Sequence, residues 1–114
     1  AIEYVDDDSI TVQGALDREL IRRVIARNKA QINLCYATKL QYAKSGTKRA
    51  GRVTVRWRIS PDGSVARTRV VDSSISDALF EKCLTERIAT WVFPQPKGGG
   101  SVRVEYPFVF RPVT

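Results

Sequence analysis

Residues 51–59 alternate apolar and polar side chains in the way expected of a β-strand with one buried face. The period of two is the period of an extended strand, in which successive side chains point to opposite faces. The apolar positions are Val53, Val55, Trp57 and Ile59, and three of the polar positions between them are Arg52, Arg56 and Arg58. The pattern therefore predicts a strand with one face in the core and one basic face.

Turn-forming residues follow this strand directly: Ser60, Pro61, Asp62 and Gly63. Proline presets φ, aspartate accepts local backbone hydrogen bonds, and glycine takes positive φ without strain. The sequence therefore predicts a β-hairpin whose return strand covers residues 64–71.

Charge selects the register of this hairpin, because a slip of one residue exchanges the two faces of the return strand. Pairing Ile59 with Val65 would place two arginines, Arg67 and Arg69, beside the core. An unpaired charge there would be very costly, so we reject that register in favour of a two-residue link or a bulge. The outer face is then arginine-rich, and the inward residues of the return strand are Ala66, Thr68 and Val70.

The length of 114 residues is that of one domain. The chain contains no methionine, so we expect it to be part of a longer protein. No apolar run approaches the roughly 20 residues that span a bilayer, and no signal-peptide pattern opens the chain. We therefore expect no direct insertion into a membrane.

The net charge of +7, with a pI near 9.9, suggests an anionic partner. A basic surface that only confers solubility explains the charge equally well. The chain has no histidine, which removes the usual general base and the usual zinc ligand. We therefore expect no enzymatic activity, no cofactor and no metal site.

The apolar period changes to 3.6 over residues 17 to about 43, which predicts a first helix. Its apolar stripe consists of Leu20, Ile21, Val24, Ile25, Ile32, Cys35, Tyr36 and Leu40. Capping residues before Asp77 and a second helical stripe predict another helix over residues 77–90. That stripe consists of Ala78, Leu79, Cys83, Leu84, Ile88 and Trp91.

Strict alternation returns over residues 101–110 and predicts a third strand. Its inward residues are Val102, Val104, Tyr106, Phe108 and Phe110. At the other end of the chain, Ile10 and Val12 favour a short strand, and the acidic residues 1–9 are expected to form a mobile tail. We therefore divide the chain into residues 1–14, a linker end with or without that strand, and a folded domain over residues 15–114.

The order helix, strand, strand, helix, strand predicts an α+β fold. Two helices pack on one face of a three-stranded antiparallel sheet, with an optional short N-terminal strand. The crossover through the second helix places the last strand beside the first hairpin strand, which makes the last strand an edge. Pro107 agrees with this position, because a residue without an N–H is tolerated mainly in edge strands.

Cys35 and Cys83 fall on the apolar stripes of the two helices, so a disulfide between them is geometrically reasonable. Two reduced core thiols are the alternative, since free cysteine is among the most buried residue types. Neither cysteine lies in a CxxC motif or beside another ligand, which argues against a metal or redox site.

The ordered set of motifs resembles the C-terminal domains of TonB-type energy transducers over residues 16–110. The set consists of the strand 53–59, the turn 61–63 followed by Val65, Ser73 with Ser74, and residues 91–94. A second set resembles the AgmX/PglI branch, which is associated with myxobacterial gliding motility. It consists of Cys35 with Tyr36, Cys83, and residues 94–96 before the glycines 98–100.

This resemblance implies a periplasmic binding module rather than an enzyme. Its missing N-terminal part would link it to a proton-driven motor in the inner membrane. Family members bind extended segments of outer-membrane partners at the edge strand, which implies an envelope protein as partner here. The residues that match that edge are Val102, Arg103, Val104, Glu105 and Tyr106. The implied periplasmic location favours the disulfide between Cys35 and Cys83.

Two alternatives remain open for the partner. The N-terminal strand could cover the docking edge, and the arginine face could bind nucleic acid or an anionic wall polymer. Nucleic acid is not expected, because the aromatic residues have inward parity and offer no stacking platform. The arginine face consists of Arg52, Arg56, Arg58, Arg67 and Arg69, with Arg103 on the neighbouring strand.

Overall fold

The computed structural model describes residues 2–3, 5, 9–40 and 49–112. A short 3-10 helix spans Lys97–Gly99, and three α-helices and five strands occur in this part of the chain. In chain order they are β1 (Ile2–Glu3), β2 (Thr11–Gln13), α1 (Arg18–Arg27), α2 (Lys29–Leu40), β3 (Gly51–Ile59), β4 (Val65–Ser73), α3 (Ala78–Ile88) and β5 (Val102–Phe110).

The strands form one antiparallel sheet in the order β1, β5, β3, β4, and β2 also pairs with β5. The predicted α+β class and the predicted order of the last three strands, β4, β3, β5, are confirmed. The prediction that β5 is an edge strand is wrong, because β1 and β2 both pair with its outer side. The predicted mobile tail is also wrong at Ile2 and Glu3, which belong to β1. The division of the chain at residue 14 stays a prediction.

The predicted first helix is two helices in the structure. Asn28 ends α1 with φ −104° and ψ 12°, and its side-chain amide donates to the Val24 carbonyl at 2.8 Å. A short polar side chain that bonds the preceding turn competes with the regular helical ladder, which accounts for the break. Residues 41–43 of the predicted helix lie outside the described residues.

Caps and core packing position α3. Asp77 accepts a hydrogen bond from the Phe80 backbone N–H at 2.9 Å, as expected of an N-cap. Phe80 is fully buried, whereas Leu79 is 69% exposed and Ala78 is also exposed, so the predicted stripe misplaced two residues at the start of this helix. The apolar face begins at Phe80, two residues later than the pattern suggested.

The core lies between the sheet and the helices. Trp57 is fully buried and packs against Trp91, Phe93 and Phe108 at ring-centroid distances of 6.2, 6.0 and 6.5 Å. Trp91 is also buried, and its indole N–H donates to the Gln31 side chain at 3.0 Å. The positions of β3 and β5 that were predicted to point inward are all buried, which confirms the predicted parity.

The hairpin turn is built from the predicted residues. Gly63 has φ +91°, and a Cβ there would lie 2.2 Å from the Phe93 carbonyl oxygen, so only glycine fits. The Ser64 hydroxyl and backbone N–H both donate to the Asp62 carboxylate, at 2.6 and 2.9 Å. These hydrogen bonds hold the pKa of the Asp62 carboxyl below its usual range.

The register of the hairpin combines the two alternatives. Ile59 pairs with Val65, the start of the register that we rejected. A bulge then follows in β4, where Arg67 has φ +55°, and it restores the outward direction of Arg67 and Arg69. Ala66 pairs with Arg58 on the outer face, so its predicted inward direction is wrong. Arg67 and Arg69 thus face solvent, as predicted from their charge, and the bulge makes this possible.

Cys35 of α2 and Cys83 of α3 form a disulfide, which confirms the predicted pair. The two cysteines are separated by 48 residues in the chain. The bond therefore ties the helix before the hairpin to the helix after it.

Candidate functional site

We call the edge of β5 that does not pair with β3 its outer side. This edge belongs to the strand with the predicted docking residues, and the N-terminal segment of the chain occupies it. In β2, Thr11, Val12 and Gln13 lie opposite Glu105, Val104 and Arg103, respectively. Closer to the end of β5, Ile2 and Glu3 lie opposite Phe110 and Val109. The main-chain groups that an added strand would need are therefore covered over part of β5.

Side chains of β5 divide by parity between the core and the outer face. Val102, Val104 and Tyr106 are buried, whereas Arg103 is exposed and Glu105 is half-buried. On the outer face of the sheet, Arg103 and Glu105 can therefore contact the side chains of a strand that pairs with β5. The choice of these five residues as the docking site stays a prediction.

The N-terminal segment is held by buried side chains and by hydrogen bonds from two helices. Ile2 and Ile10 are 4% and 1% exposed, respectively. The Asn33 side-chain oxygen accepts from the Ile2 N–H at 2.9 Å, and Arg18 donates to the Ile10 carbonyl at 3.0 Å. Both anchors precede β2 in the chain, and β2 itself has only three residues.

β1 and β2 pair with different parts of β5. Among the described residues, the pairs of β1 involve Val109 and Phe110, and those of β2 involve residues 103–105. A cavity of about 510 Å³ opens beside this edge, lined by Val5, Ser9, Thr11, Arg52, Thr54, Glu105, Pro107 and Val109. Pro107 thus lies where β5 has no outer partner among the described residues, which agrees with the tolerance for proline at unpaired strand positions.

At the opposite edge of the sheet, no described strand pairs with the outer side of β4. This edge is interrupted by two register shifts, one between Thr54 and Val55 and one between Arg56 and Arg58 of the facing strand. Bulges and charged side chains are devices that prevent a free edge from pairing with another chain. The β4 edge is therefore a poorer template for strand addition than β5.

Guanidinium groups from three adjacent strands surround a second cavity, of about 230 Å³, on the outer face of the sheet. We call it the arginine pocket, and its lining residues are Arg56, Trp57, Arg58, Arg67, Arg69 and Arg103. Arg52 of the predicted arginine face lies elsewhere on β3, with its guanidinium 3.8 Å from the Asp72 carboxylate. The structure thus brings four of the five predicted arginines together and adds Arg103.

Counter-charges are scarce in this pocket. Arg56 forms an ion pair with Glu105 at 2.5 Å, and both side chains are partly buried. Arg58, Arg67, Arg69 and Arg103 make no ion pair with any residue that the structure describes. The register places arginines directly opposite each other in two cross-strand pairs, Arg58 with Arg103 and Arg56 with Arg69.

A model of the family described as Gram-negative bacterial TonB protein C-terminal matches residues 42–112 of the chain. The chain belongs to the TonB C-terminal domain family. The search of the curated proteins gave no match.

Two solved TonB C-terminal domains are similar to this chain. The solution NMR structure of the Helicobacter pylori domain is 25% identical, with a TM-score of 0.50, and the match covers 87% of this chain and 86% of that one. The solution NMR structure of the Pseudomonas aeruginosa domain is 19% identical, with a TM-score of 0.45, and the match covers 99% of this chain and 96% of that one.

TonB C-terminal domains are energy-transduction modules without enzymatic activity, and they act by binding envelope proteins. Within the described part of this TonB-like domain, no group of three or more His, Cys, Asp or Glu side chains could hold a metal ion. No helix in that part is long and apolar enough to cross a membrane. Binding surfaces are therefore the features of this chain from which its function can be argued.

The sequence analysis missed two features of the site. Nothing in the short acidic N-terminal stretch indicated that Ile2 would be buried against the sheet. The second is the convergence of five arginines on one cavity, which depends on the bulge in β4. The position of Arg103 beside the others followed from the predicted strand order, because β5 lies beside β3.

Proposed function

We propose that this TonB-like domain docks an extended segment of an envelope protein by strand addition at the outer side of β5, and that the segment takes the place of β2. The observation that carries the proposal is that a strand of only three residues covers the predicted docking residues of β5, with a cavity of about 510 Å³ beside it. Strand addition uses main-chain hydrogen bonds for affinity and alternate side chains for specificity.

The cavity beside β2 gives an incoming segment room to approach β5. Thr11 and Glu105 both line this cavity, so it lies at one end of the β2 ladder. A segment that starts there can extend along β5 towards Arg103 as β2 leaves. The rest of the N-terminal segment stays attached, because the anchors at Ile2 and Ile10 do not involve β2.

Detaching β2 from β5 costs little free energy compared with unfolding the domain. Thr11 and Gln13 are exposed, and Val12 is only partly buried. A longer segment would replace these contacts with more main-chain hydrogen bonds. β2 is therefore a competitor that lowers the apparent affinity for weak partners without blocking strong ones.

The wider setting is proposed from family membership. The domain would lie in the periplasm, at the end of a protein whose N-terminal part is anchored in the inner membrane and coupled to a proton-driven motor. Docking would then pass force to an outer-membrane or other envelope partner. The likeness to the AgmX/PglI branch suggests gliding motility as the process, and transport across the outer membrane is the alternative.

Weakening β2 is expected to strengthen peptide binding. Thr11 and Val12 direct their N–H groups to opposite sides, so one of the variants Thr11→Pro and Val12→Pro removes a donor to β5. We expect that variant to lower the Kd by about threefold to tenfold, because a competitor of the peptide is lost. The probe is a linear peptide selected from a random display library on the wild-type chain, and binding is measured by fluorescence polarisation.

Gln95→Pro is the matched control, since Gln95 is exposed and lies between two prolines outside the sheet. It should bind the peptide like the wild type. Circular dichroism must show that each variant is folded. Unchanged or weaker binding by both folded β2 variants would contradict strand exchange at this edge.

A further inference from the structure

The arginine pocket concentrates positive charge in a way that costs the domain stability. Like charges directly opposite each other on antiparallel strands repel, and the pocket contains two such pairs, Arg58 with Arg103 and Arg56 with Arg69. Glu105 supplies the one carboxylate that contacts a pocket arginine in the described structure. A surface that served solubility alone would intersperse charges of both signs. Bound anions would relieve this repulsion.

We propose that the arginine pocket binds the carboxylates of an acidic, extended segment of a partner protein. The site is separate from the outer side of β5 and does not require strand addition there. The partner segment would lie across the outer face of the sheet, over β4, β3 and β5. Its side chains, rather than its main chain, would make the contacts.

The chemistry of the pocket fits carboxylates. Each guanidinium is planar and presents several N–H donors in a fork that matches the two oxygens of a carboxylate. Arg56 and Arg58 are two residues apart on β3, which separates them by about 6.8 Å. Alternate side chains of an extended peptide have the same spacing. Acidic residues at alternate positions would therefore meet successive arginines.

The volume of the pocket limits the size of the groups that can bind in it. A volume of about 230 Å³ accommodates a few carboxylate groups together with some water. The ion pair between Arg56 and Glu105 shows that one pocket arginine already binds a carboxylate of the chain. Carboxylates of the partner would complete the same pattern at Arg58, Arg67, Arg69 and Arg103.

Nucleic acid is disfavoured by the position of the aromatic side chains. Single-stranded nucleic acids gain affinity by stacking bases on exposed aromatic rings. Trp57, Tyr106, Phe108 and Phe110 are all buried on the inner face of the sheet. The outer face offers guanidinium groups without a stacking platform, which suits a peptide with acidic side chains better than a nucleic acid.

The first test compares two arginines of the same strand. Arg58→Ser removes a pocket guanidinium, whereas the control Arg52→Ser removes one that faces Asp72 outside the pocket. The probe is a hexaglutamate peptide, and its Kd is measured by isothermal titration at low salt. We expect Arg58→Ser to weaken binding about tenfold, because a charge-assisted hydrogen bond is lost, and Arg52→Ser to weaken it less than twofold.

The second test has the opposite sign and uses carboxylates. Glu105→Gln frees Arg56 for the ligand, while Asp72→Asn changes the net charge equally outside the pocket. We expect Glu105→Gln to tighten hexaglutamate binding at least threefold and Asp72→Asn to leave it nearly unchanged. If the pocket arginines were merely structural or solubilising, the two variants would bind hexaglutamate equally.

A third measurement links the pocket to stability. Without ligand, Arg58→Ser should melt at a higher temperature than the wild type, because a repulsive pair is removed. Hexaglutamate should raise the melting temperature of the wild type and raise that of Arg58→Ser much less, since a ligand stabilises only the form that binds it.

The outcomes decide between the pocket and its alternatives. Equal loss of affinity in Arg58→Ser and Arg52→Ser would show general charge attraction and overturn the proposal. A single-stranded oligonucleotide or a wall-derived anionic polymer of equal charge that binds more tightly than hexaglutamate would overturn the assignment to an acidic protein segment. Neither outcome bears on strand exchange at β5, which is tested through β2.

Discussion

Replacing Trp57 by alanine is expected to lower the free energy of unfolding by about 3 to 5 kcal/mol, the usual range for deleting a large aromatic side chain from a core. Trp57 is fully buried in the middle of β3 and contacts aromatic rings from both the segment after α3 and β5. The remaining cavity cannot close easily, because rigid rings line it. Urea unfolding monitored by circular dichroism measures the effect.

Trp57→Phe is the matched control for this prediction. It keeps an aromatic ring and removes the indole N–H, which has no hydrogen-bond partner among the described residues. Its cost should therefore be clearly smaller than that of Trp57→Ala. Wild-type unfolding of Trp57→Ala would show that the parity of β3 is wrong, and with it the separation of the core from the arginine pocket.

Loss of the disulfide is expected to have an effect of similar size. In the chain-entropy model, a bond that closes a loop of 48 residues stabilises a protein by about 4 kcal/mol. We therefore expect the variant Cys35→Ala with Cys83→Ala to unfold at a much lower urea concentration than the oxidised wild type. Reductant should shift the wild type in the same direction and leave the variant unchanged.

Whether Cys35 and Cys83 are oxidised to a disulfide in the cell can be checked independently. Mass spectrometry of natively exported protein, alkylated without prior reduction, should find no modified cysteine. Two alkylated thiols would contradict the bond. Such a result would also remove one support for the proposed periplasmic location, because disulfides persist in oxidising compartments.

Strand parity in β3 and β5 could be predicted because burial on one face imposes strict alternation, and every position predicted to point inward in both strands is buried. The same reasoning was incomplete for β4. It required Arg67 and Arg69 to face solvent, but it could not tell which residue would form the bulge that allows this. Arg67 takes that role with φ +55°, which a pattern of apolar and polar residues does not encode.

Helix boundaries were harder to predict from the apolar stripe. The stripe continues from Ile25 to Ile32 across Asn28, because α1 and α2 both bury one face in the same core. Asn28 was the available signal, as a residue whose side chain competes for backbone groups. Its effect depends on the hydrogen bond to Val24, which the sequence does not show.

The positions of individual residues and strands of the site could be predicted from the sequence, but the way in which they come together could not. The arginines of β3 and β4 were correctly placed on the outer face, and β5 was correctly placed beside β3. The cover on β5 by a strand around Ile10 and Val12 was predicted only as an alternative, because a three-residue strand has too short a pattern. Its position follows from tertiary burial of Ile2 and Ile10, which lies beyond local periodicity.

A reversible lock between β2 and β5 tests the central claim most directly. Val12 and Val104 lie opposite each other in the antiparallel ladder, at a separation that a disulfide can bridge. In the variant Val12→Cys with Val104→Cys, the oxidised form should bind the library-selected peptide at least about a hundredfold more weakly, because the competing strand cannot leave. Reduction should restore binding, and the wild type with and without reductant controls for the disulfide between Cys35 and Cys83. Equal affinity of the locked and reduced forms would contradict docking by strand exchange at β5.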